Sequence, residues 1–511
     1  MKEIQKFPVQ ILKRETGQFS KDFHSKVFTL FASSESDVFQ KAKDFPRHYK
    51  HCFCFLREDH ARWFADSNSS LAVRQFIIKN VSKKYDWILR YYNKWLKDWH
   101  KFLILDKKAD KLDLQKLSDK QLYNLFKNYY ELYVKAGGVA YICDSFMSTG
   151  KSDWLQELLG KELKKTHFDN FEKIIAELVA PIHLSFTLQE EHDLLALTAK
   201  FYKAYGDKLP EFNKLSIAFQ KLINRHEQNY HWMRNNYYHV ERYSALEIYK
   251  KIKKMLSENK QSSSWVLDDW RAKQAYLLKA KKARQQAEKE IELPSKYKNI
   301  IKTANLFSKW KDIRKSGVCM GMAGFDKFLG EVGRRANYSK RDLSFVILPE
   351  IAGILLRKID YKDEISKRKQ KVFWAVTHKG EYVLSSGADA DKFFKFFPAT
   401  TIAEAGYLYG VAACKGKVAG IVRVIKKTKE MVKFKTGEIL VTNNTTPEFV
   451  PIMRKAAAIV TEQGGITSHA AVLSRELGMP CIIGVRDATR VLKTGDRIEV
   501  DADRGVIKIL K

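Results

Sequence analysis

Glycine is spread unevenly along this 511-residue chain, and the unevenness limits the fold more than any other single property. Of the 25 glycines, six lie in residues 1–300, at positions 17, 137, 138, 150, 160 and 206, and the other nineteen lie in residues 301–511. Glycine supplies the positive-φ turns and the close backbone approach that phosphate-cradling loops need. The first three hundred residues are therefore poorly equipped for a nucleotide-binding fold and well equipped for helices. The stretch from Ser148 to Ser152 ends like a P-loop, but Ser145 stands where that motif needs its first glycine, and no apolar strand leads into it.

A chain of this length is expected to form more than one domain. Residues 1–65 read as a small α/β cap, with residues 26–32 and 51–56 as short strands and residues 34–43 as a capped helix between them. Residues 66–397 read as a helical region for binding substrate or partner. Apolar and aromatic residues recur there at spacings of three and four, as in residues 85–99, and Ser118 followed by Gln121 marks a helix start. Residues 268–293 form a long charged helix, read as a solvated arm or hairpin, and residues 372–384 a β-hairpin. Residues 398–408 are the expected hinge. Residues 409–511 alternate short β and α units: 416–425 read as a strand pair, 437–442, 456–461 and 481–484 as strands, and 496–509 as a closing hairpin.

The charge is lopsided, with 92 Lys and Arg against 59 Asp and Glu, a formal net of +33. Such a balance suits an anionic partner, whether nucleic acid, an acidic protein or a phosphorylated ligand; it equally suits a solvated lysine-rich surface, since the lysines are dispersed over helical faces. The cysteines at 52, 54, 143, 319, 414 and 481 show neither metal-ligand nor disulfide-framework spacing, and Cys52-Phe-Cys54 reads as strand packing. No metal site is expected. The first residues lack the apolar segment of a signal peptide, and the longest apolar run, residues 346–356, is broken by Pro349 and Glu350 and too short to span a bilayer. A cytoplasmic protein without membrane contact is the expectation.

Two places carry candidate chemistry. At helical spacing His231, Asn235 and His239 share one face with Arg234 beside it, a face able to grip a polar or phosphorylated acceptor. The competing reading makes the neighbouring aromatics core and these polar groups satisfied neighbours. The second place is the run Thr461-Glu-Gln-Gly-Gly-Ile-Thr-Ser-His469-Ala-Ala-Val-Leu-Ser-Arg475. A buried strand, a glycine turn and a helix start create a pocket where backbone N–H groups and the helix dipole stabilise anionic oxygens. Gly464 and Gly465 let the backbone approach a phosphate, and Thr467 and Ser468 offer hydroxyls and a helix cap. A neutral imidazole at His469 is a good nucleophile toward phosphorus. Arg475 falls well off the His469 face and is given a supporting role.

From Gly464 to Arg475 the sequence resembles the phosphohistidine signature of the PEP-utilising enzymes, and the likeness runs on through Glu476-Leu-Gly-Met-Pro480, Gly484 and Gly495-Asp-Arg-Ile-Glu-Val-Asp501. That family includes phosphoenolpyruvate synthase, pyruvate phosphate dikinase and rifampicin phosphotransferase. The resemblance implies a multidomain chain: a mostly α-helical N-terminal region followed, over residues 409–511, by a swivelling β/β/α domain with His469 as its phosphoryl carrier. A weaker likeness links the helical region to the one preceding the carrier in the rifampicin-phosphotransferase branch, through the stretches ending at Arg314 and Arg368. The expected function is a phosphotransferase component that relays a phosphoryl group. ATP with magnesium is expected on a separate ATP-grasp-type donor protein rather than on this chain, because ATP-using relatives carry a glycine-rich domain and PEP-using relatives a barrel after the carrier. The acceptor is expected to be a small or anionic molecule. The alternative is a regulatory or scaffold protein that retains a carrier domain and binds nucleic acid or protein through its basic helices.

Overall fold

The computed structural model describes residues 2–3, 12, 19–24, 27–57, 60–65, 67–148, 154–163, 171–179, 182–206, 208–235, 240–258, 265–291, 293–396, 406–426, 428–445, 449–462, 468–485 and 488–510. The chain divides into two compact units. The first comprises Met1–Gly150 and Leu159–Phe397, and the second Pro398–Lys511 together with Lys151–Leu158.

The first unit is helical around one six-stranded sheet. Its strands are β1 (Lys2–Glu3), β2 (Phe19–His24), β3 (His51–Arg57), β4 (His60–Ala65), β5 (Lys371–Thr377) and β6 (Glu381–Ser386), in spatial order β1-β6-β5-β3-β4-β2. Strand β3 pairs along its whole length with β5, from His51↔Thr377 to Arg57↔Lys371. The strands near the N-terminus therefore share a sheet with the 372–384 hairpin, and the expected boundary at residue 65 does not mark off a separate sheet. Cys52 and Cys54 are buried strand residues, as Cys52-Phe-Cys54 was read. Of residues 26–32, expected as a strand, the described ones, 27–32, belong instead to the helix Val27–Ser34, which passes straight into a π-helical stretch, Glu35–Gln40. Nearly every position there is buried, so the run is apolar without a period, and a buried helix then looks like a buried strand.

Helices pack against this sheet and against one another. The longest, Ser295–Ala336, has 42 residues and runs beside Asp86–Lys111 and Asp119–Gly137. Ser118 caps the second of these with a full capping box to Gln121. The long helix carries glycine where aromatic rings press on its backbone. A Cβ at Gly317 would lie 2.2 Å from Trp99, one at Gly321 2.5 Å from Tyr133, and one at Gly324 2.0 Å from the Tyr129 hydroxyl. These glycines make room for rings; they turn no loop. The ring of Phe328, on the same helix, stacks on Phe126 at 4.8 Å.

Both arginines of the weaker resemblance are buried cross-ties in this unit. Arg314 donates to Asp144 at 2.7 Å and lies 4.0 Å over the Tyr141 ring. Arg368 forms a bidentate pair with Glu350, both contacts 2.7 Å, and also donates to Glu364 and to the Phe345 carbonyl. Two planar, five-donor groups thus join helices distant in sequence.

The second unit is built on β7 (Tyr407–Tyr409), β8 (Val411–Cys414), β9 (Lys417–Ile425), β10 (Ile439–Thr442), β11 (Ala458–Thr461), β12 (Cys481–Ile483), β13 (Arg497–Asp501) and β14 (Val506–Leu510), in the order β7-β14-β13-β9-β10-β11-β12-β8. Strands β9 to β12 are parallel, and the flanking pairs are antiparallel. Residues 416–425, expected as a strand pair, form the single strand β9, which joins the two halves by pairing with β10 on one side and β13 on the other. Strands β10 to β12 are buried on both faces: Val441, Val460 and Ile482 enter one apolar cluster, and Leu440, Ile459 and Ile483 another. That is why they read as continuous apolar runs. The second cluster is closed by Ala470, Ala471 and Leu473 of the helix His469–Leu477 and by Ile452 and Met453 of Val450–Met453. This is the β/β/α arrangement expected. Among the described residues no helix is long and apolar enough to cross a membrane.

Candidate functional site

In parallel sheets, ligands gather at the carboxyl ends of the strands. Here β10, β11 and β12 end side by side at Thr442, Thr461 and Ile483, and the residues just beyond them are tied together. The Glu462 N–H donates to the Thr442 carbonyl at 3.1 Å, and the Val485 N–H to the Thr461 carbonyl at 2.9 Å. The Glu462 carboxylate accepts from Asn443 Nδ2 at 2.8 Å and from both the N–H and the hydroxyl of Thr489 at 2.6 Å. One carboxylate therefore braces the loop after β10 and the turn after β12 from its place at the end of β11.

His469 opens the helix that follows. Ser468 is its N-cap, in extended conformation, with its hydroxyl accepting from the Ala471 N–H at 3.4 Å. The helix ends at Gly478, whose φ of 62 gives the left-handed turn that only glycine takes without strain. Thr445 Oγ1, on the loop braced by Glu462, lies 2.8 Å from His469 Nδ1. The imidazole is mostly buried, and burial holds its pKa well below the ordinary value, at about 4. Desolvation penalises the charged ring, so at neutral pH the imidazole is uncharged. With Nδ1 engaged by Thr445, Nε2 is the nitrogen left to react when Nδ1 carries the proton. Gly464, Gly465 and Thr467 lie outside the described residues, as do residues 398–405 of the expected hinge.

Thr445 and Glu462 were not singled out in the sequence. The signal lay in the polar run Asn443-Asn-Thr-Thr446 directly after an apolar strand, and in a lone carboxylate at the end of β11.

The second sequence candidate is arranged differently from expectation. The helix Ile217–Tyr230 stops before the proposed face begins. The His231 carbonyl accepts from the Tyr243 N–H at 2.9 Å, and the Asn235 N–H turns back to the Trp232 carbonyl at 3.0 Å, so the next helical turn is not made. Asn235 donates to the Cys319 carbonyl at 3.0 Å and accepts from the Glu241 N–H at 2.9 Å. Arg234 is paired with Glu247 at 2.6 Å and Glu241 at 3.0 Å. His231 is buried, and burial lowers its pKa. His239 lies outside the described residues. His231, Arg234 and Asn235 occupy a turn, not a helical face, and the recorded bonds of Arg234 and Asn235 are used to hold it. Among the described residues no cluster of His, Cys, Asp and Glu has the make-up of a metal site.

The second unit is thus a domain with four parallel strands that presents a neutral histidine at the start of a helix, beside the carboxyl ends of those strands. Residues 434–505 match the family model "PEP-utilising enzyme, mobile domain". A 100-residue stretch is 53% identical to the phosphoenolpyruvate synthase of Pyrococcus furiosus, covering 20% of this chain and 12% of that protein. A 99-residue stretch is 46% identical to the phosphoenolpyruvate synthase of Aeropyrum pernix, with 19% and 12% covered. The uncharacterized phosphotransferase YvkC of Bacillus subtilis matches over 177 residues at 31% identity, covering 34% of this chain and 21% of that protein. The chain thus aligns with only a minor part of each relative's length.

Proposed function

We propose that His469 is a phosphoryl carrier, taking the group from an ATP-grasp-type donor and delivering it to a small or anionic acceptor. The observation that carries the reading is the Thr445–His469 pair. It engages Nδ1 at 2.8 Å in a ring that burial keeps neutral, at the head of a helix in a PEP-utilising mobile domain.

In the forward step the Nε2 lone pair forms a bond to the transferred phosphorus while the bond to the donor's bridging oxygen breaks, that oxygen leaving with its electron pair. Nδ1 keeps its proton, which Thr445 Oγ1 accepts, so the positive charge gained by the phosphorylated ring is met by a hydrogen bond. The helix N-terminus favours the added negative charge. Delivery reverses the step at the acceptor, after the domain has moved between the two sites. ATP and its magnesium are placed on the donor, and Gly464, Gly465, Thr467 and Ser468 are assigned to the phosphate. The helical unit is the proposed platform for donor or acceptor.

The test is to incubate wild type and His469→Ala with candidate ATP-grasp proteins and labelled ATP. Acid-labile, base-stable label on the wild type alone is expected. Equal labelling of both proteins overturns the assignment.

A further inference from the structure

The second unit holds two cysteines that the sequence separates widely and the sheet brings together. Cys414 ends β8, Cys481 begins β12, and the two are register partners in an antiparallel pair. Directly opposed residues in such ladders have Cα atoms about 4.5–5.5 Å apart, inside the range of about 4.4–6.8 Å that a disulfide spans. Facing matters as much as distance. The register shifts between Cys481 and Ile482, whose partners are Cys414 and Ala412, so Ala413 is the extra residue of a bulge. Cys481, Ala413 and Ile483 are buried in one apolar cluster, and Cys414 and Val411 pack against that same cluster. Both thiols therefore face the same layer. That layer is capped by Ala470, Ala471 and Leu473 of the His469–Leu477 helix. Access is one-sided, because Cys481 is fully buried while Cys414 is partly exposed. The remaining cysteines, at 52, 54, 143 and 319, all belong to the first unit.

We propose that Cys414 and Cys481 form a reversible cross-strand disulfide, a modification site beneath the helix that carries His469. With a peroxide as oxidant, the Cys414 thiolate attacks the O–O bond and becomes a sulfenic acid, releasing one water. The Cys481 thiolate then attacks that sulfur, forming the S–S bond and releasing the second oxygen as water. Two thiols are oxidised, one peroxide is reduced to two waters, and two equivalents of a thiol reductant reverse the change. The second step is the slow one, because burial pushes the Cys481 thiol up to about 12. The bond would fasten the edge strand β8 to β12 and close a loop from 414 to 481 that contains β9, β10, β11 and His469.

The experiment uses the full chain. Protein is treated with hydrogen peroxide, its remaining thiols are alkylated, and its peptides are mapped by mass spectrometry with and without dithiothreitol. The expected result is a Cys414–Cys481 peptide pair lighter by two hydrogens, released by dithiothreitol and lost in both Cys414→Ser and Cys481→Ala. A dimedone adduct should accumulate on Cys414 in Cys481→Ala. Amide exchange in β8 and in residues 469–477 should slow on oxidation and recover on reduction. The proposal is overturned if Cys414 proceeds to sulfinic acid with Cys481 still open to alkylation after denaturation, or if either cysteine pairs with a different partner. Wild-type mapping decides the matter even if a variant folds poorly, and no outcome depends on His469 being phosphorylated.

Discussion

Lowering the pH should test the environment of His469 directly. Burial moves its pKa from an ordinary 6.5 to about 4. Above pH 6.5 the ring is neutral in both folded and unfolded chains and contributes nothing to the pH dependence. Between 6.5 and about 4 the unfolded chain binds a proton that the folded chain refuses, so stability falls as the pH falls. Below about 4 both states are protonated and the loss is complete. At about 1.4 kcal/mol per pKa unit, and with some discount for a ring that is not fully enclosed, the second unit should lose about 2–3 kcal/mol over this window. The imidazole Cε1–H resonance, followed by NMR in histidine-labelled protein, should show a midpoint near 4 for His469. By calorimetry, the unfolding transition of the second unit should fall more steeply between pH 7 and pH 4 in wild type than in His469→Gln. A His469 midpoint at 6 or above, or identical pH slopes for the two proteins, would refute the claim that burial keeps this imidazole neutral.

Other outcomes follow from the same contacts. Thr445→Val removes the group engaging His469 Nδ1; nitrogen NMR should show a changed tautomer ratio, and about 1 kcal/mol of lost hydrogen bonding should slow phosphorylation by about fivefold to tenfold, with Thr445→Ser close to wild type. Glu462→Gln keeps the shape of the brace but weakens its acceptance from Asn443 and Thr489; the His469 nitrogen shifts should move in the same direction as in Thr445→Val, though less, while an unchanged spectrum would mean that Glu462 serves the fold alone. Two glycines of the long helix should respond oppositely to alanine. Gly324→Ala meets the Tyr129 hydroxyl, which donates to Asp106, and should cost about 1–2 kcal/mol in urea melts. At Gly330 the nearest atom is a lysine methylene at 3.1 Å, which can swing aside, so Gly330→Ala should stabilise by up to about 1 kcal/mol.

How much of this was legible depended on how far apart the cooperating residues lie. The capping box at Ser118 and Gln121 and the N-cap at Ser468 are contacts over three residues, and both stood in the sequence as they stand in the fold. Strands β10 to β12 were legible because burial on both faces leaves an unbroken apolar run between polar breaks. The helix Val27–Ser34 was misread for the same reason: burial all round erases the period that separates helix from strand. The His231–Asn235 face failed because helical spacing was extended past Tyr230, where partners 6 to 84 residues away claim the polar groups.

The glycine asymmetry had one cause in the sequence and two in the structure. In residues 1–300 the scarcity of glycine goes with a largely helical fold. In residues 317–333, however, the glycines sit inside a helix, and Gly317, Gly321 and Gly324 are there because Trp99, Tyr133 and Tyr129 occupy the space a Cβ would take. The same residue type at 437, 478 and 495 has positive φ with open space around the missing Cβ, which is the turn-forming use. Counting glycine separates the regions, but only the neighbouring atoms separate packing from turning. The histidine shows the same division. His469 and its cap are local and could be read directly. Thr445, whose hydroxyl engages His469 Nδ1, stands 24 residues earlier, on a loop held by a carboxylate just beyond the next strand. The histidine and its cap are properties of a short motif, and the partner of its Nδ1 is a property of the sheet.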